Sequence, residues 1–396
     1  MDILYVTPLW SGLSDIILDG KTEAKGMPAF IQPLKRLINQ GHRVDFIIFH
    51  SYIPQDYNIN ASWLKDSPVF FTKWGLSPVE RFSSPFNLYK TIRQVLKQKK
   101  YDFIYGHGSA GAIANIAANR HKIPCGLRLY GTFLYPETTV YSRKRLFIKH
   151  PLEYLAFRLE KSFLLITNDG TKGDKVYEYL KPDKEFYIFQ FWLNGFDKFP
   201  PSTGCGVNEL HLEKPYLLYP ARISRWKRQH LAIDLLQIMH KKKFKLHLYF
   251  VGHLTETDYW QEIVKKIEEY HLDEYVHYLG TVEPGELGNL NINALAVLSL
   301  YEYSNLGNVV IEALSQGSVV LSLNDGSLTN IIEDGINGFL VDNIQEAADR
   351  ITTLLTRPKL ASEICHKAQQ QALELFKTWD QRTDEEIQLI INAIKK

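Results

Sequence analysis

The segment over residues 299–322, SLYEYSNLGNVVIEALSQGSVVLS, has the residue types of an anion-binding site. An apolar strand is predicted to end in a polar, glycine-containing loop, and this loop opens a helix at about Asn308. The first N–H groups of a helix lack acceptors within the helix and lie at its positive dipole end, so they can hold a diphosphate. Glu312, one turn into the helix, can accept two hydroxyl hydrogen bonds such as those of a ribose. A structural interpretation is equally good on this segment alone: Ser304 and Asn305 cap a core helix, and Glu312 complements its dipole.

A second segment, YLLYPARISRWKRQH at residues 216–230, places two cations after a predicted strand. Arg222 follows the strand directly, and Lys227 comes a few residues later. A departing pyrophosphate develops negative charge, which Arg and Lys neutralise where no metal ion does so. The chain contains no Asp-x-Asp pair of the kind that often holds Mg²⁺ or Mn²⁺. Because Arg225 and Arg228 also lie here, a solvated basic loop is the alternative interpretation.

Further candidate positions follow apolar strands in the first half of the chain. Gly26 lies in the loop after the first strand, where a glycine lets the backbone approach a phosphate. Pro33 is awkward inside the regular helix predicted after this loop. His107, in DFIYGHGSAG, either positions a hydroxyl of a bound ligand or is satisfied by local hydrogen bonds at its strand end. The other residues expected to face a ligand here are Met27, Tyr130, Gly131 and Thr132.

Short apolar runs alternate with amphipathic stretches along the whole chain, which predicts a repeating order of strand and helix. Continuous apolar runs suit parallel strands that helices cover on both faces, so we predict an α/β protein with two doubly wound domains. Ligands of such domains bind at the carboxyl ends of the strands. The segment 194–214 has proline, glycine and polar residues without a clear period and is the predicted linker. The predicted domains are 1–198 and 199–375, followed by an amphipathic helix at 376–396.

The composition excludes several classes of protein. Lys and Arg total 46 against 44 Asp and Glu in 396 residues, so the large basic excess typical of nucleic-acid binding is absent. Cys125, Cys205 and Cys365 are far apart, which argues against a disulfide framework and against a cysteine-built zinc site, and fits a reducing cytoplasm. The N-terminus has no basic region and cleavage site of an export signal, and no apolar run reaches the length of a membrane span. We therefore expect a cytoplasmic protein.

The segment 139–163, TVYSRKRLFIKHPLEYLAFRLEKSF, mixes basic residues with Tyr, Phe and Leu. One interpretation is a peripheral contact with the anionic inner face of a membrane. The other is an ordinary amphipathic helix that packs on its own domain. A lipid-linked acceptor becomes plausible under the first interpretation.

Taken together, these segments resemble family 4 of the retaining glycosyltransferases, and the resemblance extends over nearly the whole chain. It rests on landmarks that follow one another in the order of the family. These landmarks are Leu37, Gly41, His42 and Val44, then Asn194, Gly195 and Asp197, then Ala221, Arg222 and Lys227, then Val251 and Gly252, then Leu279 and Gly280, then Glu312 and Gly317, and finally Asp334, Gly335, Asn337 and Gly338. The chain departs from the family pattern at Ser304, where a glutamate is usual, at Tyr130, where a histidine is usual, and at Lys25, where a glycine is usual.

The resemblance implies a GT-B fold, in which two Rossmann-like domains face each other across a cleft and a C-terminal helix crosses back to the N-terminal domain. It implies that Arg222 and Lys227 bind the donor diphosphate, Glu312 the ribose and the backbone near Val282 the base. The implied catalytic residues are Arg222, Lys227, Glu312 and His107. The implied donor-binding set is Gly26, Arg222, Lys227, Val282, Ser304, Asn305, Leu306, Gly307, Asn308, Val309 and Glu312, and the set facing the acceptor or sugar is Met27, His107, Tyr130, Gly131 and Thr132.

The resemblance also implies a reaction. A hexose-type sugar moves from a UDP- or GDP-linked donor to a glycan or lipid-linked acceptor with retention of configuration and with no metal or other cofactor, as in cell-surface polysaccharide or glycoconjugate synthesis. The alternatives are a sugar-nucleotide epimerase or hydrolase on the same fold, which needs carboxylates poised for acid–base work, and a non-catalytic protein that binds sugar nucleotides. A two-domain solute-binding protein would normally carry an export signal. Fold alone does not choose among these functions, so the phosphate-binding residues decide.

Overall fold

A computed structural model describes residues 1–24, 26–197 and 212–396, apart from the side chains of Ser11 and Pro78. These residues form two compact units. The N-terminal unit consists of Met1–Asn168, Lys172–Asn194 and Trp379–Lys396, and the C-terminal unit consists of Asp169–Thr171 and Gly195–Thr378. Most of the predicted linker, residues 198–211, lies outside the described residues, as does Lys25.

Each unit contains one sheet of parallel strands. The sheet of the N-terminal unit has the strand order β3-β2-β1-β4-β5-β6-β7, and that of the C-terminal unit has the order β10-β9-β8-β11-β12-β13. The strands are β1 Asp2–Pro8, β2 Arg43–His50, β3 Val69–Lys73, β4 Phe103–His107, β5 Cys125–Leu129, β6 Phe163–Thr167, β7 Ile188–Trp192, β8 Tyr216–Pro220, β9 His247–Val251, β10 Val276–Tyr278, β11 Ala296–Ser299, β12 Val320–Leu323 and β13 Phe339–Val341.

Helices connect the strands, as the doubly wound pattern requires. The helices are α1 Ser11–Ile17, α2 Pro28–Asn39, α3 Pro78–Gln98, α4 Ala112–His121, α5 Tyr135–Val140, α6 Arg143–Lys149, α7 Pro151–Arg158, α8 Gly173–Leu180, α9 Gln229–Lys241, α10 Thr257–Glu269, α11 Pro284–Asn293, α12 Asn308–Ser315, α13 Ile344–Thr356, α14 Pro358–Leu375 and α15 Trp379–Lys395. Two short 3-10 turns, Ser109–Gly111 and Arg225–Lys227, precede α4 and α9.

The central strands are buried along their whole length, since helices cover both faces of each sheet. On one face of the N-terminal sheet, Phe30 and Leu34 of α2 pack together with Ile387 and Ile390 of α15. Burial of each such side chain contributes about 1.5–3 kcal/mol. The last helix of the chain is therefore part of the core of the N-terminal unit.

The structure differs from the sequence prediction at three places. Helix α2 continues through Pro33, which lies in its interior and leaves the carbonyl four residues earlier without its usual N–H donor. The segment 139–163 is not one amphipathic helix, because Ser142 accepts a hydrogen bond from the N–H of Arg145 and starts α6, and Pro151 starts α7. Strands β3 and β10 were not predicted as strands, since their short sequences, VFFTK and VHY, are only partly buried.

Candidate functional sites at the carboxyl ends of the two sheets

The C-terminal unit has a topological switch point between β8 and β11. The chain proceeds from β8 toward β9 on one side and from β11 toward β12 on the other, so the loops that follow β8 and β11 lead to opposite sides. Ligands of open α/β sheets bind at such a point, at the carboxyl ends of the strands. The two loops are residues 221–228 and 300–307, which contain the two strongest candidates from the sequence.

Lys227 lies at the end of the 3-10 turn that follows β8. Its ammonium nitrogen is 3.7 Å from the centroid of the Trp226 ring and 3.4 Å from that of the Tyr301 ring. The Tyr219 hydroxyl donates a hydrogen bond to the carbonyl of Lys227 and holds the turn. Burial, with Arg222 nearby, lowers the pKa of Lys227 to about 7. A bound anion would favour the protonated form and keep this cation charged.

Arg222 is exposed, and no carboxylate among the described residues pairs with its guanidinium. The nearby Arg225 instead forms a bidentate ion pair with Glu262, with distances of 2.7 and 2.8 Å between guanidinium nitrogens and carboxylate oxygens. The buried Gln229 side chain donates to the carbonyl of Arg222 at 2.8 Å and fixes the backbone there. Only a glycine fits at Gly252, since a Cβ atom would lie 2.3 Å from the carbonyl oxygen of the residue before Arg222. Two cations thus follow β8: Arg222, which has no carboxylate partner in the described part of the chain, and Lys227, which lies over aromatic rings.

Asn305 organises the loop after β11. Its side-chain oxygen accepts hydrogen bonds from the Ser299 hydroxyl at 2.8 Å and from the N–H of Tyr301 at 3.1 Å, and its amide donates to the Tyr301 carbonyl at 3.2 Å. Asn305 is fully buried. It does not cap α12, because the residue at the cap is Gly307, with no side-chain cap. The capping interpretation of Ser304 and Asn305 is therefore wrong.

Helix α12 begins at Asn308, as the sequence predicted. A Cβ atom on Gly307 would meet no atom within 4 Å, so the space beside the first turn is open. Ser304, in place of the glutamate usual in the resembling family, has a left-handed backbone with φ of 62° and is buried. Glu312 is half-buried one turn into the helix, and burial, with Asp197 adding repulsion, raises its pKa to about 7. The other predicted donor-binding residues lie in the same loops: Leu306 is buried, and Val309 and Val282 are half-buried.

The N-terminal unit has its own switch point, between β1 and β4. His107 is the last residue of β4, and the loop that follows β1 leads to Gly26 and to Met27, the residue before α2. Both loop residues have positive φ angles, 109° and 46°. Residues 130–132 follow β5, the next strand of the sheet after β4. The topology therefore brings the predicted residues of this half to one edge of the sheet.

His107 is buried, with 1% of its surface exposed. Its Nδ1 atom is 2.9 Å from the Tyr130 hydroxyl, and its ring stacks on Tyr5 at 4.7 Å between centroids. Burial holds its pKa well below the ordinary value, so the ring is neutral. Its Nε2 atom has no hydrogen-bond partner among the described residues. Tyr130 is half-buried, and of the two residues that follow it Gly131 has φ of 111° and Thr132 is buried.

A buried ion pair lies beneath this edge and was not predicted from the sequence. The Arg128 guanidinium lies 4.9 Å above the Tyr130 ring, and its Nε atom is 3.5 Å from a carboxylate oxygen of Glu386. The Tyr105 hydroxyl donates to the other oxygen of Glu386 at 2.6 Å. Because Glu386 belongs to α15, far away in sequence, no local pattern could have linked it to Arg128. The cation of this edge is thus compensated within the unit.

The two edges suit different chemistry. The edge with Arg222 and Lys227 offers positive charge and a helix start, which together can hold phosphate groups. The edge with His107 and Tyr130 offers neutral hydrogen-bonding groups on aromatic surfaces, which can orient hydroxyl groups.

Comparisons with known proteins agree with this fold. Residues 206–371 match the family model described as Glycosyl transferases group 1. A trehalose synthase of Pyrococcus horikoshii is 27% identical over 173 residues, which is 41% of this chain and 41% of that protein. An uncharacterized 41.2 kDa protein in the cps region of Klebsiella pneumoniae is 25% identical over 67% of this chain and 72% of its own length.

Among solved structures, Anabaena HepE in complex with UDP-glucose is similar with a TM-score of 0.68 and 20% identity, over 98% of this chain and 99% of that chain. This likeness shows the fold, which is the pair of parallel-sheet, Rossmann-like units of GT-B proteins. The match to the trehalose synthase spans less than half of that protein, so its activity does not transfer as a whole.

Proposed function

We propose that this chain, which carries a Glycosyl transferases group 1 domain, is a retaining hexosyltransferase of family 4. It transfers the sugar of a UDP- or GDP-linked donor to a glycan or lipid-linked acceptor and needs no metal ion. The observation that carries the proposal is the pair of cations at the β8–β11 switch point, where Lys227 lies over two aromatic rings and Arg222 has no carboxylate partner among the described residues.

The cations act on the leaving group. As the bond between the anomeric carbon and the diphosphate oxygen breaks, negative charge grows on the diphosphate. Arg222 and Lys227 stabilise that charge, which lowers the barrier because the groups are already in place. The acceptor oxygen attacks the face that the diphosphate leaves, and its proton passes to a phosphate oxygen, so configuration is retained. Glu312 binds the ribose hydroxyls through its carboxylate.

The edge of the N-terminal unit contributes positioning. The Tyr130 hydroxyl, in contact with His107 Nδ1, offers a hydrogen bond to a sugar hydroxyl, and the neutral ring of His107 sets the orientation of that hydroxyl. Catalysis under this proposal is orientation together with stabilisation of the leaving group. Two similarities support the substrate class: HepE binds UDP-glucose, and the Klebsiella protein is in a cps region, which favours a role in surface polysaccharide synthesis.

A thermal-shift screen with nucleotides and sugar nucleotides tests the proposal. We expect one sugar nucleotide to raise the melting temperature by several degrees, equally with and without EDTA, since a ligand that binds only the folded state stabilises it. The shift should vanish in Arg222→Ala and persist in the control Arg225→Ala, whose guanidinium pairs with Glu262. Loss of the shift in EDTA would refute metal independence, and turnover of the donor to free sugar without an acceptor would favour a hydrolase.

We further propose that α6 contacts an anionic membrane, which would bring the enzyme to a lipid-linked acceptor. Its sequence, RKRLFIK, is basic, Ile148 on it is 79% exposed and Val140 just before it is 72% exposed. Exposed apolar side chains beside Lys and Arg are typical of interfacial helices. No helix among the described residues is long and apolar enough to cross a membrane.

Flotation with vesicles tests this contact. We expect the protein to float with vesicles of 30% anionic lipid, and the double variant Ile148→Ser with Lys144→Glu to float at least about 5-fold less, because each basic residue near the surface contributes about 1 kcal/mol. The control Lys65→Glu changes the charge of an exposed lysine elsewhere. Equal flotation of the double variant and the control would refute the membrane contact.

A further inference from the structure

A cavity of about 730 Å³ opens in the N-terminal unit at the amino ends of β5, β6 and β7. Its walls include the start of each of these strands and the last turns of α15. It lies at the opposite edge of the sheet from His107, the last residue of β4, because all these strands are parallel. Ligand sites of proteins commonly have volumes of about 300–1,000 Å³, so the cavity is large enough for a small organic molecule.

Lys161 lines this cavity and is 3% exposed. Its ammonium group donates to the carbonyl of Leu159 and lies 3.9 Å from the centroid of the Tyr187 ring. None of the described carboxylates lies within ion-pair distance of it. Burial lowers the pKa of Lys161 to about 7. A buried lysine without an acidic partner lowers the stability of the folded protein. A bound ligand would explain why such a residue is present.

The rest of the wall suits a molecule with one charged and one apolar end. Phe186 and Ile188 are each 40% exposed beside the opening, and Leu389 of α15 adds an aliphatic surface. Lys122, also in the wall, is exposed and adds positive charge. Glu160 is the acidic side chain of the wall, and it is exposed to solvent, as is Lys396. Cys125, also in the wall, interacts electrostatically with Lys161, and burial raises the pKa of its thiol.

We propose that this cavity is a second ligand site, which binds a small organic anion through Lys161 and seats the apolar part of the ligand on the surface formed by Phe186, Tyr187 and Ile188. A phosphate or carboxylate of the ligand takes the place of the missing acidic partner. The site is separate from the proposed transfer reaction and does not depend on it.

Binding must be coupled to proton uptake. At pH 8 most of the Lys161 side chains are neutral, and a bound anion stabilises the protonated form. The protein therefore takes up a proton from the buffer when the ligand binds. A site formed only by exposed lysines would show no such uptake, because those lysines are already charged.

Calorimetric titration of the whole protein with phenyl phosphate at pH 8, in Tris and in HEPES, measures both affinity and uptake. We expect saturable binding with uptake of about half a proton or more per ligand. Benzyl alcohol, which has the ring without the charge, should bind at least about 10-fold more weakly, since the charge supplies the main contact.

Three variants assign the uptake to this cavity. Lys161→Met keeps the shape of the side chain and should remove the uptake event of this cavity, so that only the event at Lys227 remains. It should also weaken binding in the cavity at least about 10-fold, because the counter-charge is gone. Phe186→Glu, at an exposed position of the rim, should weaken binding by repulsion without disturbing the core. Lys227→Met removes the other lysine whose pKa is about 7, and should leave one uptake event per protein. Unchanged uptake in Lys161→Met, or its disappearance in Lys227→Met alone, would overturn the proposal.

Discussion

The carboxyl edge of the C-terminal sheet is cationic, whereas that of the N-terminal sheet is neutral and aromatic. Lys227 lies over two rings and Arg222 has no carboxylate partner among the described residues. In the N-terminal unit, by contrast, Arg128 forms an ion pair with Glu386, and His107 is neutral. Both edges occupy the switch point of the same kind of sheet. The topology thus decides where a site forms, and internal compensation of charge decides whether that site attracts an anion.

The largest effect should come from removing Lys227, the half-buried cation of the C-terminal edge. We expect Lys227→Met to lower kcat/KM for the donor about 10²-fold or more, because a charge already in place for the leaving group is lost. Steady-state kinetics with the donor found in the screen measure it. Arg225→Met removes the same charge from the same turn and should stay within about 2-fold. Equal losses in both variants would show that net charge, and not the position of Lys227, matters.

The next largest effect tests how the C-terminal edge is held. Asn305→Ala should lower the free energy of unfolding by about 2 kcal/mol or more, because it leaves the N–H of Tyr301 and the hydroxyl of Ser299 without their acceptor. Chemical denaturation measures the change. Asn330→Ala, at an exposed position, should change stability by less than about 0.5 kcal/mol. A neutral Asn305→Ala would mean that the loop does not depend on this side chain.

A smaller effect is expected at the neutral edge. Tyr130→Phe removes one hydrogen bond to His107 and keeps the ring, so it should cost about 1 kcal/mol of stability. Tyr57→Phe is the matched control. The Tyr57 hydroxyl makes a long contact of 3.4 Å with a backbone carbonyl on the surface, so its removal should change stability less. A change in donor kcat/KM as large as that of Lys227→Met would contradict the division of roles between the two edges.

The last comparison concerns the direction of the pH dependence of stability at the two edges. The folded pKa of Lys227 is lowered to about 7, so its contribution to stability, taken as wild type minus Lys227→Met, should rise from pH 7 to about 10.5. The folded pKa of His107 is lowered as well, so wild type minus His107→Phe should fall as the pH drops below about 6.5. Denaturation across this range measures both. If the contributions of Lys227 and His107 changed over the same pH range, the lowered pKa values of the two residues would be contradicted.

Local sequence predicted the strands with continuous apolar runs and the start of α12 at Asn308, because burial on both faces and helix-opening loops leave local patterns. It also placed Arg222, Lys227 and His107 at strand ends. It did not predict β10, a three-residue strand whose residues VHY are partly exposed.

Other features depend on partners far away in the sequence. Under the structural interpretation of its segment Asn305 would cap a helix, yet its contacts are to β11 and the residue two positions after that strand. The residues around Lys161, EKSF, form no sequence pattern that would predict its burial. The contact of Arg128 with Glu386 joins two separate chain segments of the N-terminal unit. Such pairings follow from tertiary packing, which a local pattern does not encode.

The place of α15 has a consequence for synthesis on the ribosome. The C-terminal unit is almost continuous in the chain, whereas the N-terminal unit needs Trp379–Lys396. Until Glu386 has been made, the Arg128 side chain lacks its carboxylate, and the apolar surface that Ile387 and Ile390 cover stays open to solvent. The N-terminal unit therefore completes its folding only after the C-terminal unit has been synthesised, and a nascent chain stalled before α15 would expose this apolar surface to aggregation.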